Sequence, residues 1–378
     1  MGFKIKSIGV IIFIAFSPLL FAQLTFNISS VPENTLSGDR IYLVGNFNSW
    51  NPNDSNSILV NNGDGKYQIT ISPPIGTFDF KFTRGNWASV EVGDNGQDIP
   101  NRSISYTGKE RTVNVTIAKW KKNETPKSTA ARNVSILDEN FPIPQLNRTR
   151  RIWVYLPPGY DSSSKSYPVL YMQDGQNLFD ARTSFSGEWK VDEWLNAIIE
   201  NGHEGVIVVG IDNGGEHRIT EYSPWVNSEY GGGEGELYAD FITQTLKPHI
   251  DSIFRTKPDR LNTGIMGSSL GASISFYAAI KHQDVFSKVG VFSPSFWFSD
   301  SVYTLVQSVG KQYDMRFYFM GGNLESDDLI PNMNKMVQTL NEVGFDSTEV
   351  LMVSYQDGEH SEWFWSRGFR EAFLWLFE

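Results

Sequence analysis

Cysteine is absent from this sequence of 378 residues. Its absence excludes disulfide bonds, thiolate metal sites, cysteine nucleophiles and a lipidated cysteine anchor, so stability must come from the apolar core. Histidine is scarce: there are five, and none are spaced as paired metal ligands. The net charge of −11 argues against nucleic acid as a partner. The sequence therefore predicts neither a metal nor a cofactor.

Long apolar runs are also scarce, and one stands out between Ile8 and Phe21. It follows two lysines and ends before the small residue Ala22, which is typical of a cleaved signal peptide over residues 1–22. The run is too short to be a good membrane span. We therefore expect a secreted or periplasmic protein without a membrane span in its mature chain.

Residues 23–120 consist of short alternating stretches separated by glycine, asparagine, aspartate and proline. Examples are LTFNIS at 24–29 and FDFKFT at 78–83. This rhythm is typical of a small antiparallel β-sandwich. Residues 121–133 are polar and show no periodicity, which predicts a linker.

From residue 134 onward, compact apolar runs alternate with longer amphipathic segments. The runs include YPVLYM, GVIVVGI, KVGVFS and EVLMVSY. Buried strands that alternate with helices predict an α/β domain over residues 134–378, with a mostly parallel sheet covered on both faces.

The stretch GSSLG at 267–271 fits the motif G-x-S-x-G with Ser269 at its centre. A predicted strand at 262–266 precedes it, and a helical, small-residue segment at 272–280 follows. Such a strand-to-helix turn holds its central residue in a strained conformation above the sheet, and the flanking glycines avoid Cβ clashes. Ser269 is therefore the predicted nucleophile.

A serine nucleophile needs a general base, and in this type of fold the acid and the histidine follow the serine along the chain. His282 lies at the far end of the predicted helix, about 20 Å from the serine, so it is excluded. His360 follows the last predicted strand and is the predicted base. The acid follows the strand MRFYFM, with Glu325 as first choice and Asp327 as second.

An oxyanion hole needs two backbone N–H groups that point at one position. Leu270, the residue after the nucleophile, supplies one by its place in the motif. The loop YMQDGQNLFD at 171–180 is predicted to supply the other, from Gly175 or Gln176.

Several segments resemble, in the same order, those of the "Putative esterase" family of α/β-hydrolases, which includes feruloyl, acetyl and siderophore esterases. They include LYMQDGQNLFD, GIDNGGEHRITEYSPW, IMGSSLGASISFYAAIKHQDVF, VFSPSFWF and DGEHSEWFW. The resemblance runs from about residue 134 to the end and implies an α/β-hydrolase fold with a Ser–acid–His triad. That triad falls on Ser269, Glu325 and His360.

The same resemblance implies further positions near the substrate. These positions are Arg218, Glu221, Tyr222 and Trp297. For the first three, a structural role in a salt-bridged loop is the alternative. Gln173 departs from the family pattern, which often has histidine there, without changing the backbone donors of the loop.

The front region resembles the family 20 starch-binding modules and their glycogen-binding relatives in IYLVGNFNSWNP and FDFKFTRGNWASVEVGDNGQDIPNR. Such modules bind sugar rings on aromatic platforms. The resemblance places Trp50 and Lys81 on binding positions, with a starch-like glucan as the possible partner. Val92 stands where a second platform tryptophan is usual, and Trp87 is the candidate to replace it. A purely structural sandwich is the alternative.

Together these features predict a secreted serine carboxylic-ester hydrolase that releases acetyl or feruloyl-type acyl groups from carbohydrate. One alternative is a siderophore-ester hydrolase. Another is a non-catalytic glycan-binding protein that has kept a hydrolase scaffold.

Overall fold

The computed structural model describes residues 23–36, 38–48, 50–121, 127–184 and 187–378. The predicted signal peptide and residues 122–126 of the predicted linker lie outside the described residues. The chain divides into two compact units, Met1–Thr125 and Pro126–Glu378. Within the described ranges, no helix has the length and apolar character needed to cross a membrane.

The first unit is built from short strands. They are β1 Leu24–Ser30, β2 Tyr42–Gly45, β3 Val60–Gly63, β4 Lys66–Ile71, β5 Gly76–Thr83, β6 Glu91–Val92, β7 Arg102–Tyr106, β8 Arg111–Thr116 and β9 Lys119–Trp120. Short 3₁₀ turns lie at Asn46–Asn48, Ser55–Ser57 and Trp87–Ser89.

Two sheets of the first unit enclose one apolar core. Their strand orders are β3-β4-β1-β8 and β2-β5-β7, and β6 pairs separately with β9. Alternate side chains of β1, among them Phe26, are buried, and the Phe26 ring lies 4.9 Å from that of Phe80 on β5. Strand β1 runs parallel to β8, unlike the other pairs of these sheets. Because β1 and β8 are far apart in the chain, no hairpin forces them to be antiparallel.

The second unit alternates strands and helices as predicted. Its strands are β10 Val134–Ile143, β11 Arg148–Tyr155, β12 Val169–Gln173, β13 Ile207–Ile211, β14 Val226–Asn227, β15 Gly231–Gly232, β16 Thr263–Ser268, β17 Lys288–Phe292, β18 Arg316–Gly322 and β19 Val350–Tyr355.

The helices of the second unit follow the same order along the chain. They are α1 Val191–Glu200, α2 Arg218–Glu221, α3 Gly235–Asp240, α4 Lys247–Ile253, α5 Leu270–Lys281, α6 Ser301–Val309, α7 Leu329–Glu342 and α8 Glu362–Phe377. A π-helical segment, Phe241–Leu246, joins α3 to α4, and 3₁₀ turns lie at Gly175–Asn177, Gly215–His217, Arg260–Asn262 and Phe296–Phe298.

An eight-stranded sheet forms the centre of the second unit, in the order β10-β11-β13-β12-β16-β17-β18-β19. The strands from β13 to β19 in this order are parallel, and β10 and β11 add antiparallel pairs at one edge. Apolar cores cover both faces: α1 and α8 pack on one, and α3, α5, α6 and α7 on the other. The predicted α/β-hydrolase fold with a small β-sandwich in front is confirmed.

Strand β10 and the segment before it were not apparent in the sequence. Most β10 side chains are exposed, so the strand contains no apolar run. Residues 128–133, the end of the predicted linker, belong to the second unit and hydrogen-bond to the rest of it: Ser128 Oγ donates to Asp180, and the Asn133 side chain donates to the Leu156 carbonyl. Hydrogen bonds of this kind leave no periodic signal in a sequence.

Candidate functional site

The G-x-S-x-G motif forms a tight turn between β16 and α5. Ser269 is half-buried, and its φ of 57° and ψ of −129° lie in a region that residues with a side chain rarely occupy. Hydrogen bonds hold it there: its N–H donates to the Phe292 carbonyl at 2.9 Å, and its own carbonyl accepts from Ala272 and Ser273 at 3.1 Å. Strain of this kind marks functional positions, because the surroundings must enforce it.

The two glycines of the motif are required by close packing. A Cβ added at Gly267 would lie 2.5 Å from the Gly271 carbonyl oxygen, and one at Gly271 would lie 3.0 Å from the Asp174 carboxylate. Gly267 therefore excludes a side chain, and a side chain at Gly271 would require Asp174 and Gln173 to shift by a few tenths of an ångström.

His360 and Glu325 form a close pair on neighbouring loops. His360 Nδ1 lies 2.5 Å from Glu325 Oε2. Glu325 follows β18 and its side chain is 3% exposed, whereas His360 follows β19 and is 48% exposed. Because Glu325 holds Nδ1, Nε2 of the imidazole remains as the proton acceptor. The second-choice acid, Asp327, is exposed farther along the same loop.

The Glu325 carboxylate is fixed by donors on its other oxygen. Oε1 accepts from the Gly322 N–H and from the Ser293 hydroxyl, both at 2.7 Å. Ser293 in turn accepts from Trp365 Nε1 at 2.8 Å, and the Trp365 ring packs edge-on against His360 with centroids 4.9 Å apart. Trp365 thus supports both members of the pair.

The loop that follows β17 connects Ser269 to this pair. Ser293 contacts Glu325, while Ser295 N–H donates to the Ser269 carbonyl at 3.3 Å. Ser269 Oγ lies 3.3 Å from Ser295 Oγ. Because β16, β17, β18 and β19 are parallel neighbours, the loops after them lie along one edge of the sheet, where such folds build their sites.

Two glycines allow the loops that carry Glu325 and His360 to approach each other closely. A Cβ added at Gly322 would lie 2.2 Å from the Gly358 carbonyl oxygen, so Gly322→Ala must force the loops apart. We expect this change to cost about 1–3 kcal/mol of stability and to lower kcat/KM by at least about tenfold, because the Gly322 N–H holds Glu325. Thermal unfolding and ester hydrolysis measure the two effects.

Gly76→Ala is the matched control for this prediction. Gly76 has no atom within 4 Å of an added Cβ and no unusual φ. Its replacement should change stability by no more than about 0.5 kcal/mol and leave kcat/KM unaltered. Equal losses in the two variants would contradict a specific role for the contact between Gly322 and Gly358.

The structure describes all three backbone N–H groups predicted for the oxyanion hole. Within the described residues, neither Leu270 nor Gly175 nor Gln176 donates its backbone N–H to a hydrogen bond. Leu270 and Gly175 are buried, where an unpaired N–H is costly unless a ligand satisfies it. Asp174, just before this loop segment, has φ 54° and ψ 49°, which turns the chain toward the site.

A polar cluster lies beside this loop. Arg218 donates two hydrogen bonds to the Asp174 carboxylate, at 2.8 and 2.9 Å, and Asn213 donates to the same carboxylate at 2.8 Å. Glu362 accepts from Asn177 at 3.2 Å, and burial, together with the Asp174 charge, raises the pKa of Glu362 to about 7. Arg218 thus holds, through Asp174, the loop that carries the predicted oxyanion donors Gly175 and Gln176.

Two other predicted substrate positions are internal. Glu221 is fully buried, and its carboxylate accepts from Arg148 at 3.0 Å and from Arg150 at 2.7 Å. Tyr222 is also fully buried, and its hydroxyl accepts from the Asp174 N–H at 3.2 Å. Glu221 therefore has a salt-bridged structural role, which the sequence left open as the alternative to a position near the substrate.

A groove lined by aromatic side chains and partly open to solvent begins beside the turn. Leu270 and Ser295 line it together with Trp225, Phe296 and Phe298. Next to these residues, Trp297 is 55% exposed and its ring packs edge-on against the exposed Tyr230, with centroids 5.6 Å apart.

In the first unit, Trp50 and Trp87 form an aromatic pair. Their ring centroids lie 6.2 Å apart with planes at 38°, and both residues are half-buried. Val92, at the position where related modules have a second platform tryptophan, is 2% exposed and belongs to the interior. Trp87 is instead the second aromatic ring beside Trp50. Lys81 is half-buried on β5, and desolvation lowers its pKa.

Residues 143–375 match the family model described as "Putative esterase". The chain belongs to this family. The match spans most of the second unit of the esterase and includes every residue placed above around Ser269, which confirms the predicted esterase class.

Relatives of this esterase are similar to different parts of it. The uncharacterised protein YbbA of Bacillus subtilis strain 168 is 26% identical over 241 residues, 60% of this chain and 92% of that protein. An α-amylase of Niallia circulans is 42% identical over 100 residues in the N-terminal region, 26% of this chain and 8% of that protein. That match accords with the starch-binding-like character of the first unit.

A solved structure shows the same fold. The enterobactin esterase FES from Shigella flexneri, crystallised in the presence of enterobactin, has a TM-score of 0.54 and 13% identity. The similarity covers 89% of this chain and 87% of that chain.

Sequence reasoning did not identify the residues of this esterase that position the Ser269 turn, the Glu325–His360 pair and the loop at 171–180. Ser293, Ser295, Trp365 and Asp174 carry no motif of their own, and their contacts cross from one loop to another. The segments noted in the resemblance contain all four residues, but nothing in those segments indicated their roles.

Proposed function

We propose that this esterase is a serine hydrolase that releases acyl groups from carbohydrate through Ser269, His360 and Glu325. The observation that carries the catalytic part is a strained serine at the same sheet edge as a buried glutamate bonded to a histidine. In serine hydrolases without substrate, the contact between serine and histidine is often long and tightens when substrate binds.

The proposed reaction has two halves. Ser269 Oγ attacks the ester carbonyl carbon while His360 Nε2 takes its proton, and the oxyanion accepts hydrogen bonds from Leu270 and from Gly175 or Gln176. The bond to the leaving alcohol then breaks, and His360 returns the proton to the alcohol. Water, deprotonated by His360, next releases the acid from Ser269, while Glu325 stabilises the imidazolium throughout.

Two aromatic surfaces support carbohydrate as the carrier of the ester. The Trp50–Trp87 pair presents ring faces in a unit whose sequence matches part of an α-amylase. In the esterase unit, the groove begins beside Leu270 and is flanked by the exposed Trp297 and Tyr230. Sugar rings and planar acyl groups both bind well on such faces.

A substrate panel tests this proposal. The full chain is assayed on p-nitrophenyl acetate, methyl ferulate, acetylated xylan and a catecholate siderophore triester. We expect kcat/KM to be highest on an acetyl or feruloyl ester. Preference for the triester would favour siderophore hydrolysis, a second candidate suggested by the fold similarity to an enterobactin esterase. Activity on none of the four would contradict both.

If the first unit binds glucan, a substitution there should change starch binding without changing ester hydrolysis. Trp50→Ala should weaken retention of the chain on insoluble starch by about tenfold, because it removes one face of the aromatic pair. Hydrolysis of p-nitrophenyl acetate should not change, since Trp50 belongs to the first unit. Ile75→Ala, which removes an exposed apolar side chain of the same unit, is the control. Equal retention of both variants and wild type would contradict a glucan site at Trp50.

A further inference from the structure

Three carboxylates converge at the start of α1. One oxygen each from Glu188, Asp192 and Glu193 lies within 4.8 Å of the others. Oxygens bound to one Ca²⁺ at 2.3–2.6 Å lie at most about 5 Å apart, so the spacing suits a single ion. Carboxylate oxygens are the ligands that hard divalent cations prefer.

Asp192 makes this cluster unlike an ordinary acidic surface. The residue is 0% exposed, Oδ2 accepts from the Ala131 N–H at 2.7 Å, and Oδ1 has no hydrogen-bond partner within the described residues. A buried carboxylate oxygen without a donor costs free energy unless a proton or a cation satisfies it.

The neighbouring carboxylates increase the free-energy cost of burying Asp192 without a donor for Oδ1. A Glu193 carboxylate oxygen lies within 4.8 Å of one from Asp192, so the two like charges repel each other across the edge of a buried site. Acidic residues in a first helical turn are common because they complement the helix dipole. That effect accounts for the exposed Glu193 but not for a fully buried Asp192 oxygen that lacks a donor.

We propose that Glu188, Asp192 and Glu193 bind one Ca²⁺ ion. The three residues supply three negative charges and an all-oxygen ligand set, and water completes the coordination to the six to eight oxygens that Ca²⁺ takes. The ion is structural, because its ligands belong neither to the serine turn nor to the oxyanion loop. This site was not expected from the sequence, whose scattered histidines argued against metal ligands.

The position of the site defines what the ion stabilises. Thr129 Oγ1 donates to Glu188 at 2.8 Å, and Ala131 N–H donates to Asp192 at 2.7 Å. Two of the proposed ligands, Glu188 and Asp192, thus help to hold residues 129–131 against the start of α1. Ca²⁺ bound there neutralises the carboxylates and holds this segment and the helix in place.

Calorimetry and thermal unfolding of the full chain test the proposal. After chelation and dialysis, titration with CaCl₂ should show one site per chain with a Kd below about 1 mM. Saturating Ca²⁺ should raise the unfolding midpoint by several degrees, because a ligand that binds only the folded state stabilises it. Absence of saturable binding would overturn the proposal.

Variants identify the site even if one of them folds poorly. Asp192→Asn should abolish binding, and Glu193→Gln, at an exposed position, should weaken it by about tenfold or more while the chain stays folded. Asp357→Asn removes an exposed carboxylate paired with Arg367 and should leave Ca²⁺ affinity unchanged. Wild-type affinity in Glu193→Gln, or the same loss in Asp357→Asn, would contradict the assignment.

Discussion

Replacing Ser269 by alanine should lower kcat for ester hydrolysis by about 10⁴-fold or more, with little change in stability. Removing the nucleophile of a triad leaves only the rate that binding and the oxyanion donors supply. Folding should tolerate the change, since the hydroxyl contributes one contact of 3.3 Å, to Ser295. Hydrolysis of p-nitrophenyl acetate, with protein concentration set by absorbance and folding checked by circular dichroism, measures the effect.

Ser268→Ala is the matched control, because the two serines are adjacent in the same motif. Ser268 is the last residue of β16, is 6% exposed and lies one position from the strained turn. Its loss should reduce kcat by no more than about tenfold, through packing alone. Comparable losses in the two variants, or activity retained in Ser269→Ala, would contradict Ser269 as nucleophile.

Features that depend on local sequence were predictable. The serine turn was found because a strand, two glycines and a helix must follow one another within a few residues. The loops of Glu325 and His360 could be placed because the carboxyl ends of parallel strands share one edge of a sheet. The runs YPVLYM, GVIVVGI, KVGVFS, MRFYFM and EVLMVSY and the strand predicted at 262–266 correspond to β12, β13, β17, β18, β19 and β16.

Features that depend on contacts between distant segments were not predictable. The Ser293 hydroxyl reaches Glu325 across 32 positions, and Trp365 reaches Ser293 across 72, so neither contact leaves a periodic signal. The parallel pairing of β1 with β8 was missed for the same reason, whereas β10 was missed because most of its side chains are exposed. The calcium site proposed here also depends on chain segments around residues 129–131 and 188–193 that only the fold brings together.

Replacing Glu325 by glutamine should lower kcat by about 10³- to 10⁴-fold while KM changes little. Oε1 of Glu325 accepts from the Gly322 N–H and the Ser293 hydroxyl, so these donors would keep the amide oxygen of the new side chain in that position. The amide NH₂ would then face His360 Nδ1, which must accept a hydrogen bond. The imidazole proton would move to Nε2, and the histidine could no longer take the serine proton.

Asp327→Asn distinguishes this mechanism from a general loss of negative charge in the loop. Asp327 lies two residues from Glu325 and is exposed, and the same conversion of acid to amide there leaves the tautomer of His360 unchanged. We expect its kcat to stay within about threefold of wild type, since exposed charges interact weakly through water. If Asp327→Asn lost activity and Glu325→Gln kept it, Asp327 would be the acid, and the bond between Glu325 and His360 would only hold the two loops together.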